Sequence, residues 1–266
     1  MDELMISEIY CYPIKSLGGF RLGKAKVLAK GLEYDRRWML TDADGHFLTQ
    51  RNLPKLALFK ISSHNFPQSF EVHYMEHQIS IPIEPLGSRF DARVWNDTVA
   101  VQEVSPECNA FFTHHLGISC RLAFFHETAS RLIDADYALD ASNQTSLSDG
   151  YPILLLGQSS LTDLNSRLKQ PVGVDRFRPN IVFTGMHPYA EDDFREFSIG
   201  GVHLTAVKPC ARCIMTTIDQ QTAHKGAEPL ATLSTYRKHN NRILFGMNVI
   251  PKTEGYIAEG DKIVLR

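Results

Sequence analysis

The residues of this sequence with the most distinctive chemistry are two cysteines in the run Lys208-Pro209-Cys210-Ala211-Arg212-Cys213. Cationic neighbours favour the thiolate form of cysteine, which is the form that binds metals. A thiolate is also the ligand that a soft metal selects. The run therefore predicts a metal-binding cysteine. The same sequence is also compatible with two buried structural cysteines beside solvated charges.

Two other uses of a Cys-x-x-Cys pair stay open at this point. A structural zinc site takes four ligands, usually from two such pairs, and this sequence has no second pair. A thioredoxin-like redox pair opens a helix after an early strand, whereas this pair follows a β pattern late in the chain. Both interpretations fit the sequence less well than a single metal-binding thiolate.

Basic side chains at the ends of predicted strands form a second set. Guanidinium forks and lysine point charges are the usual means by which proteins hold phosphate. Each alone is typical of a solvated strand end, but together they could form one anion pocket. The set consists of Lys15, Arg36, Arg37, Arg51, Arg176 and Arg178.

Charge and motifs narrow the class of function. A net charge of −2 over 266 residues removes the simplest case for nucleic-acid binding, which needs a clearly basic face. The sequence has no Gly-x-Ser-x-Gly elbow, phosphate-binding glycine loop or His-Glu-x-x-His motif, so the common hydrolase and nucleotide-binding readings have little support.

Most of the secondary-structure elements that must position these residues are predicted to be strands. Apolar residues alternate at Phe70, Val72 and Tyr74 and again at Ile79 and Ile81, which is the period of half-buried strands. Short strands with few helices are typical of barrels. We therefore predict a mainly β fold with a few helices (α+β), built from two β-barrel-like domains at residues 1–122 and 123–266.

Three local signals predict particular element ends. Ser105 predicts the N-cap of a helix that ends before Gly117. Ser160 and Asp163 have the spacing of a capping box, which predicts the start of a second helix. The Gly260-Asp261 turn between two apolar runs predicts a closing hairpin.

The cellular compartment is predicted from the N-terminus and the cysteines. Met1-Asp2-Glu3 lacks the basic start of a secretory signal, and no run approaches the ~18 apolar residues that span a bilayer. The five cysteines are an odd number, which fits reduced thiols better than a disulfide framework. We therefore expect a cytoplasmic protein that binds neither membrane nor nucleic acid.

Five motifs in order resemble those of the MOSC-domain proteins that carry an N-terminal MOSC β-barrel domain. The similarity covers essentially the whole chain and is greatest to the bacterial YcbX proteins and the mitochondrial amidoxime-reducing components. The motifs are Tyr12-Pro13-Ile14-Lys15-Ser16, Asp35-Arg36-Arg37-Trp38, Phe177-Arg178-Pro179-Asn180, Lys208-Pro209-Cys210-Ala211-Arg212-Cys213 and Phe245-Gly246-Met247-Asn248.

The resemblance implies a molybdenum-molybdopterin cofactor whose metal is ligated by Cys213. It also implies that the pterin or its phosphate contacts residues of both domains, and that Asp149 lies near the metal. The implied cofactor-binding residues are Lys15, Ser16, Arg36, Arg178, Asn180, Ala211, Arg212 and Cys213. The role of Cys210 is left open.

The resemblance further implies reduction of N-hydroxylated small molecules such as amidoximes, hydroxylamines and hydroxylated bases. In that reaction Cys213 holds the metal at the reacting centre, and Asp149 is the expected acid that helps water leave. Because the sequence has no four-cysteine iron–sulfur cluster, we expect electrons from a separate donor protein, a flavin or iron–sulfur reductase.

Two other classes of function remain. MOSC domains also resemble the C-terminal domain of molybdenum-cofactor sulfurases, so the protein could handle the cofactor or carry sulfur as a persulfide on Cys213 or Cys210. A non-catalytic binding module that keeps only the barrel scaffold is the third interpretation, since fold does not fix function.

Overall fold

The computed structural model describes residues 3–64 and 66–266. Its α-helices are α1 (Pro106–Leu116), α2 (Gln158–Arg167) and α3 (Leu230–Ser234). Its strands are β1 (Met5–Cys11), β2 (Phe20–Leu22), β3 (Lys24–Leu28), β4 (Gly31–Leu32), β5 (Trp38–Thr41), β6 (Lys60–Ser62), β7 (Ser69–Tyr74), β8 (His77–Pro82), β9 (Arg89–Val94), β10 (Asp97–Glu103), β11 (Arg121–Phe124), β12 (Ile153–Gly157), β13 (Ile181–Thr184), β14 (Glu196–Ile199), β15 (Val202–Ala211), β16 (Lys238–His239), β17 (Arg242–Pro251), β18 (Gly255–Ala258) and β19 (Ile263–Leu265). The mainly β prediction is confirmed.

The largest sheet joins the two ends of the chain. Its strand order is β19-β14-β15-β17-β12-β13-β1-β2, with β16 paired to β17. Strand β1 runs antiparallel to β13 with Ile9 opposite Ile181, and β13 runs parallel to β12. The chain that leaves β1 therefore emerges beside segments that come more than a hundred residues later.

The N-terminal half also forms two smaller sheets around an aromatic core. One sheet has the order β5-β11-β10-β9 and another the order β6-β7-β8. Between them lie Trp38, Phe59, Phe70 and Phe112, each fully buried. Burial of such a side chain stabilises the fold by about 1.5–3 kcal/mol, so this core fixes the position of the loops that precede β5.

The division of the chain at residue 122 stays a prediction. The early strands β1 and β2 belong to the sheet of the C-terminal half, and β18, near the C-terminus, pairs with β3. Helix α1 lies in the N-terminal half and packs on β11. Strands near both ends of the chain therefore pair with strands of the other half.

The three local predictions have different outcomes. Helix α1 begins after Ser105, whose hydroxyl accepts a hydrogen bond from the Cys108 amide, and its C-cap is Gly117 in the left-handed region; this prediction is confirmed. The capping box is wrong, because the N-cap of α2 is Gly157 and the Ser160 hydroxyl donates instead to Glu191. The closing hairpin is also wrong, because β18 pairs with β3 and β19 pairs with β14.

Within residues 3–64 and 66–266, no helix has both the length and the hydropathy that crossing a bilayer requires.

Candidate functional site

A cavity of about 160 Å³ lies where the loop after β1 meets the segments before β12 and β13 and the end of β15. Five basic side chains and one acidic side chain line it, so its walls are cationic. The lining residues are Lys15, Ser16, Arg36, Ser148, Asp149, Gly150, Tyr151, Leu154, Arg176, Phe177, Arg178, Asn180, Cys210, Ala211, Arg212, Cys213, Met215, Thr216 and Asn248.

Two short segments of the N-terminal half present their side chains to the cavity together. The amide of Arg36 donates to the carbonyl of Tyr12 at 2.9 Å, and the amide of Lys15 donates to the carbonyl of Trp38 at 2.7 Å. The segments 12–16 and 35–38 are thus hydrogen-bonded side by side. Because Trp38 is anchored in the aromatic core, both segments are held rigidly.

Three of the sequence-predicted residues have strained backbones. Ser16, Arg36 and Arg178 have φ angles of 68°, 49° and 56°. Residues other than glycine adopt this left-handed region uncommonly, and each instance costs about 1–3 kcal/mol. Strain of this kind persists only where the surrounding structure fixes it, and it concentrates at functional sites.

Two of these strained arginines pack on the same aromatic ring. The guanidinium carbons of Arg36 and Arg178 lie 4.4 Å and 4.3 Å from the centre of the Tyr12 ring. Arg36 donates two hydrogen bonds to Asp35 and a third, of 3.0 Å, to the carbonyl of Arg178. Burial, together with repulsion from Arg36, lowers the pKa of Arg178 to about 10. The arrangement holds two positive charges together, which favours an anion between or beside them.

Asn180 connects three strands at the cavity wall. Its side-chain oxygen accepts from the Leu154 amide at 3.1 Å, and its side-chain nitrogen donates to the Tyr10 carbonyl at 3.3 Å. Its backbone also exchanges hydrogen bonds with both residues. Asn180 is almost fully buried, so it lines the cavity chiefly as the residue that joins β1, β12 and β13.

The two cysteines occupy the end of β15 and the turn that follows it. Both are free thiols and partly exposed. Arg212 lies between them in sequence, donating from Nη1 to the Cys210 sulfur at 3.0 Å and from Nη2 to the Phe177 carbonyl at 2.7 Å. Cys213 is the N-cap of the short helix Ile214–Thr217. The Arg212 guanidinium is thus bonded to the Cys210 sulfur, and both cysteines line the cavity.

A charged cluster lies at the side of Cys213. The Asp149 carboxylate accepts from Lys15 Nζ at 2.6 Å and from Arg51 Nη2 at 2.6 Å. Burial raises the pKa of Asp149, but attraction to the two cations outweighs it and holds that pKa well below its usual range. Burial lowers the pKa of Lys15 to about 8, although Asp149 opposes that effect.

Arg51 connects this cluster to the thiol. Burial lowers the pKa of Arg51, but the Asp149 carboxylate and the neighbouring Cys213 sulfur outweigh burial and raise it. Arg51 therefore bonds the acid and lies close to the cysteine.

Two buried guanidinium N–H groups of the cavity residues have no hydrogen-bond acceptor among the described residues. They are Arg178 Nη2 and Arg212 Nε. A buried donor without an acceptor costs about 1–3 kcal/mol. An anion such as a phosphate supplies acceptors of the kind that arginine binds best, and a soft thiolate is a suitable ligand for molybdenum. The donor set and the thiol thus fit a phosphate-bearing metal cofactor.

Comparison with known proteins shows which family this chain belongs to. Residues 3–119 match the family model described as the MOSC N-terminal beta barrel domain, and residues 142–264 match the MOSC domain. Mitochondrial amidoxime-reducing component 1 of Mus musculus is 31% identical over 280 residues, covering 98% of this chain and 82% of that protein. The chain belongs to the MOSC-domain family.

Two further MOSC-domain relatives carry different names. Mitochondrial amidoxime reducing component 2 of Bos taurus is 32% identical over 97% of this chain and 82% of that protein. The molybdenum cofactor sulfurase of Oryza sativa subsp. japonica is 29% identical over 93% of this chain but only 32% of that protein. The N-terminal MOSC β-barrel domain and the MOSC-domain assignment predicted from the motifs are confirmed.

All the site residues predicted from the resemblance to MOSC proteins line this same cavity. These are Lys15, Ser16, Arg36, Asp149, Arg178, Asn180, Ala211, Arg212 and Cys213. Their roles toward a cofactor, a metal or a reaction stay predictions. Of the basic set, Arg176 joins them in the cavity wall, whereas Arg37 is buried against Glu127 at 2.8 Å.

Sequence reasoning missed the part that Tyr12 plays in the MOSC site, and it named Arg51 without its partner. Tyr12 belongs to the first motif, but a tyrosine at this position does not by itself indicate that two arginines stack on its ring. Arg51 was one of several basic strand ends, and its contact with Asp149 spans 98 positions of sequence. An ion pair at that separation leaves no signal in a single sequence.

The zinc interpretation of the cysteine pair finds no ligand set in the part of the chain that the structure describes. The cluster of potential metal ligands there is Asp42, Asp44 and His46, which lies on a surface turn and includes neither cysteine.

Proposed function

We propose that this MOSC-domain protein reduces N-hydroxylated small molecules with a molybdenum-molybdopterin cofactor ligated by Cys213. Amidoximes, hydroxylamines and N-hydroxylated bases are the substrate class. The proposal rests on the family and on one observation above all. A free, partly exposed thiol shares a single cationic cavity with two buried guanidinium donors that find no acceptor in the described part of the chain.

The side chains around the cavity divide into two groups by what they would hold. Arg36, Arg178 and Arg212, with Lys15 and Ser16, would hold the pterin and its phosphate, because guanidinium and ammonium groups satisfy phosphate oxygens. Cys213 would hold the metal. Asn180 and Ala211 would shape the wall, since the Asn180 side chain already bonds two strands.

The proposed reaction breaks one N–O bond. An amidoxime takes up two electrons and two protons and gives an amidine and one water. Bound to this site, the cofactor supplies the two-electron redox chemistry. The protein binds the substrate, orients its N–OH group toward the Cys213 side of the cavity, and stabilises the charge that develops on the departing oxygen.

Asp149 acts in this scheme as a positioning residue. The pKa of its carboxyl is held well below the usual range by Lys15 and Arg51, so the group is ionised near neutral pH and has no proton to give. We therefore assign it the task of holding Lys15 and Arg51. Arg51, which lies close to Cys213, then stabilises the departing oxygen, and protons come from solvent at the open face.

A separate electron-transfer protein, a flavin or iron–sulfur reductase, is the proposed source of electrons. The proposed location is the cytoplasm, although the similar animal proteins are named mitochondrial. Small N-hydroxylated molecules are the other partners, without nucleic acid or membrane.

Reduction of benzamidoxime tests the function directly. The holoprotein, made in cells that assemble molybdenum cofactor, is given a reduced viologen dye as artificial donor, and benzamidine is quantified. We expect turnover by the wild type and by Cys210→Ser, and at least a hundredfold loss for Cys213→Ser. Wild-type protein that contains molybdenum but forms no benzamidine or other reduced product would refute the reductase.

A sulfur carrier is the second candidate, favoured by the similarity to a molybdenum cofactor sulfurase over 93% of this chain. In that case Cys213 or Cys210 holds a persulfide. Intact-protein mass spectrometry separates the candidates, because a carrier gains about 32 Da, one sulfur, that a thiol reductant removes, and it retains little pterin.

A further inference from the structure

A second cavity of about 290 Å³ opens beside the first. It lies between the tip of the β9–β10 hairpin and the segment that follows β5. Its lining residues are His46, Phe47, Thr49, Arg51, Asn52, Arg93 and Trp95. None of them belongs to the cofactor-binding set.

Trp95 gives this cavity its character. Trp95 is 46% exposed, and it has a φ angle of 57° in the turn between β9 and β10. A bulky side chain in the left-handed region is a strained conformation, and a large exposed aromatic surface is costly in water. The strained turn thus presents an aromatic surface at the mouth of the cavity.

The neighbours of Trp95 hold the indole in place. The Phe47 ring meets it edge-on with ring centres 5.0 Å apart, and the Arg51 guanidinium carbon lies 4.8 Å from the indole centre. Aromatic pairs and cation–π contacts of this kind restrict the motion of the ring because both attractions depend on its orientation. The ring is therefore an ordered platform with nearly half of its surface exposed.

Arg51 lines the second cavity and bonds Asp149, which belongs to the wall of the first. It contacts Trp95 on one side, and on the other it bonds Asp149 and lies against Cys213. A single guanidinium thus separates the aromatic platform from the thiol. A molecule stacked on the indole would extend past Arg51 toward the reacting end of the first cavity.

Polar groups beside the indole suit a ring that carries nitrogen and oxygen. Asn52 offers an amide with both donors and an acceptor, and Arg93 is exposed and forms no ion pair among the described residues. An apolar cavity of about 150 Å³ accommodates benzene. The observed volume of about 290 Å³ therefore has room for a substituted ring or a fused bicyclic base.

We propose that the cavity of Trp95, Phe47 and Arg93 binds the planar aromatic body of the substrate and directs its N–OH group past Arg51 toward Cys213. The ligand class is aryl amidoximes and N-hydroxylated bases, in preference to alkyl N-hydroxy compounds. This inference rests on the proposed function for its catalytic part and stands alone for its binding part.

The catalytic test compares benzamidoxime with acetamidoxime, which lacks a ring. Loss of a stacking aromatic costs about 1–3 kcal/mol per base, so Trp95→Ala should lower kcat/KM for benzamidoxime roughly tenfold or more. It should change kcat/KM for acetamidoxime less than about twofold, and Trp95→Phe should retain most of the benzamidoxime activity. The matched control is Tyr256→Ala, which removes another exposed aromatic ring on β18. Equal losses for both substrates, or no loss for either, would overturn the proposal.

The binding test needs no turnover. The chain has two tryptophans, and Trp38 is fully buried, so a soluble ligand that quenches the fluorescence reports on Trp95. Adenine, a planar base without the N–OH group, should quench saturably in the wild type and in Tyr256→Ala but not in Trp95→Phe. If the wild type reduces neither amidoxime and still binds adenine in this way, the proposed function fails while the binding cavity stands. Absence of saturable quenching in the wild type would refute the cavity itself.

Discussion

At the scale of single residues, the charge on Lys15 is set by two opposing effects. Burial lowers its pKa and the Asp149 carboxylate raises it, with a result of about 8. The ammonium group is therefore charged below about pH 8 and neutral above it. A phosphate group held by this cavity is attracted only to the charged form, so binding and protonation of Lys15 are linked.

This linkage predicts a pH-dependent affinity for the cofactor. Retention of molybdenum and pterin after prolonged dialysis should be constant below about pH 8 and fall above it, by at most about tenfold in affinity per pH unit. Lys15→Arg keeps its charge across this range, so its retention should stay level. A wild-type profile that is flat up to about pH 10 would show that Lys15 does not hold the phosphate.

The ionised state of Asp149 leads to a second prediction at this scale. Asp149→Asn removes the carboxylate that holds Lys15 and Arg51, so kcat should fall about tenfold or more through lost positioning. The pH–rate profile should keep its shape, because the pKa of Asp149 lies well below neutrality and the group releases no proton there. The wild-type pH–rate profile could instead show a limb between about pH 5 and pH 8 that is absent from the profile of Asp149→Asn. That result would assign Asp149 as the acid.

At the scale of secondary-structure elements, Asn180 determines how the largest sheet meets the cavity. Its side chain bonds the backbone of β1 and the backbone of β12. Removal of a partner from a buried backbone group costs about 1–3 kcal/mol. Asn180→Ala leaves both the Leu154 amide and the Tyr10 carbonyl without their side-chain partner.

We therefore expect Asn180→Ala to lower the free energy of unfolding by about 2–4 kcal/mol. Urea unfolding followed by circular dichroism measures this, and Gln78→Ala, on the exposed face of β8, is the control and should change stability by less than about 0.5 kcal/mol. A loss for Asn180→Ala no larger than that of the control would mean that the strand junction does not depend on this side chain.

The elements that were predictable are those with local causes. Helix α1 has its N-cap hydroxyl at Ser105 and its left-handed glycine at Gly117, and both signals lie within the helix or next to it. The hairpin predicted at Gly260-Asp261 failed because strand partners are chosen over long distances: Ile257 lies opposite Ala25. Ser160 looked like a helix cap, but a buried glutamate 31 positions away takes its hydroxyl.

At the scale of the whole molecule, the site forms because the two halves of the chain interlock. Gln50 and Gln220 exchange side-chain hydrogen bonds of 3.1 Å and 3.0 Å, and Gln50 also donates to the Ser16 carbonyl at 2.7 Å. This buried amide pair joins the loop after β1 to the segment that follows Cys213. The positions of Ser16 and Cys213 are thereby fixed relative to one another.

The convergence of the site residues could not be predicted from composition or periodicity. Arg36 and Arg37 are adjacent and chemically identical, yet Arg36 lines the cavity and Arg37 is buried against Glu127. The two residues lie in and just after the turn before β5, where Arg36 has a left-handed backbone with a φ angle of 49°. The ordered motifs, matched residue by residue, indicated which basic residues gather, and Arg51 and Trp95 lay outside those motifs.

Metal analysis shows whether Cys213 ligates molybdenum in the cationic cavity. Molybdenum and oxidised pterin are quantified in the wild type, Cys213→Ser and Cys210→Ser, all purified from cells that assemble the cofactor. We expect near-stoichiometric molybdenum and pterin in the wild type and in Cys210→Ser, and metal that is absent or readily lost in Cys213→Ser. Wild-type protein free of both, from cells that load another molybdenum enzyme, would contradict this expectation.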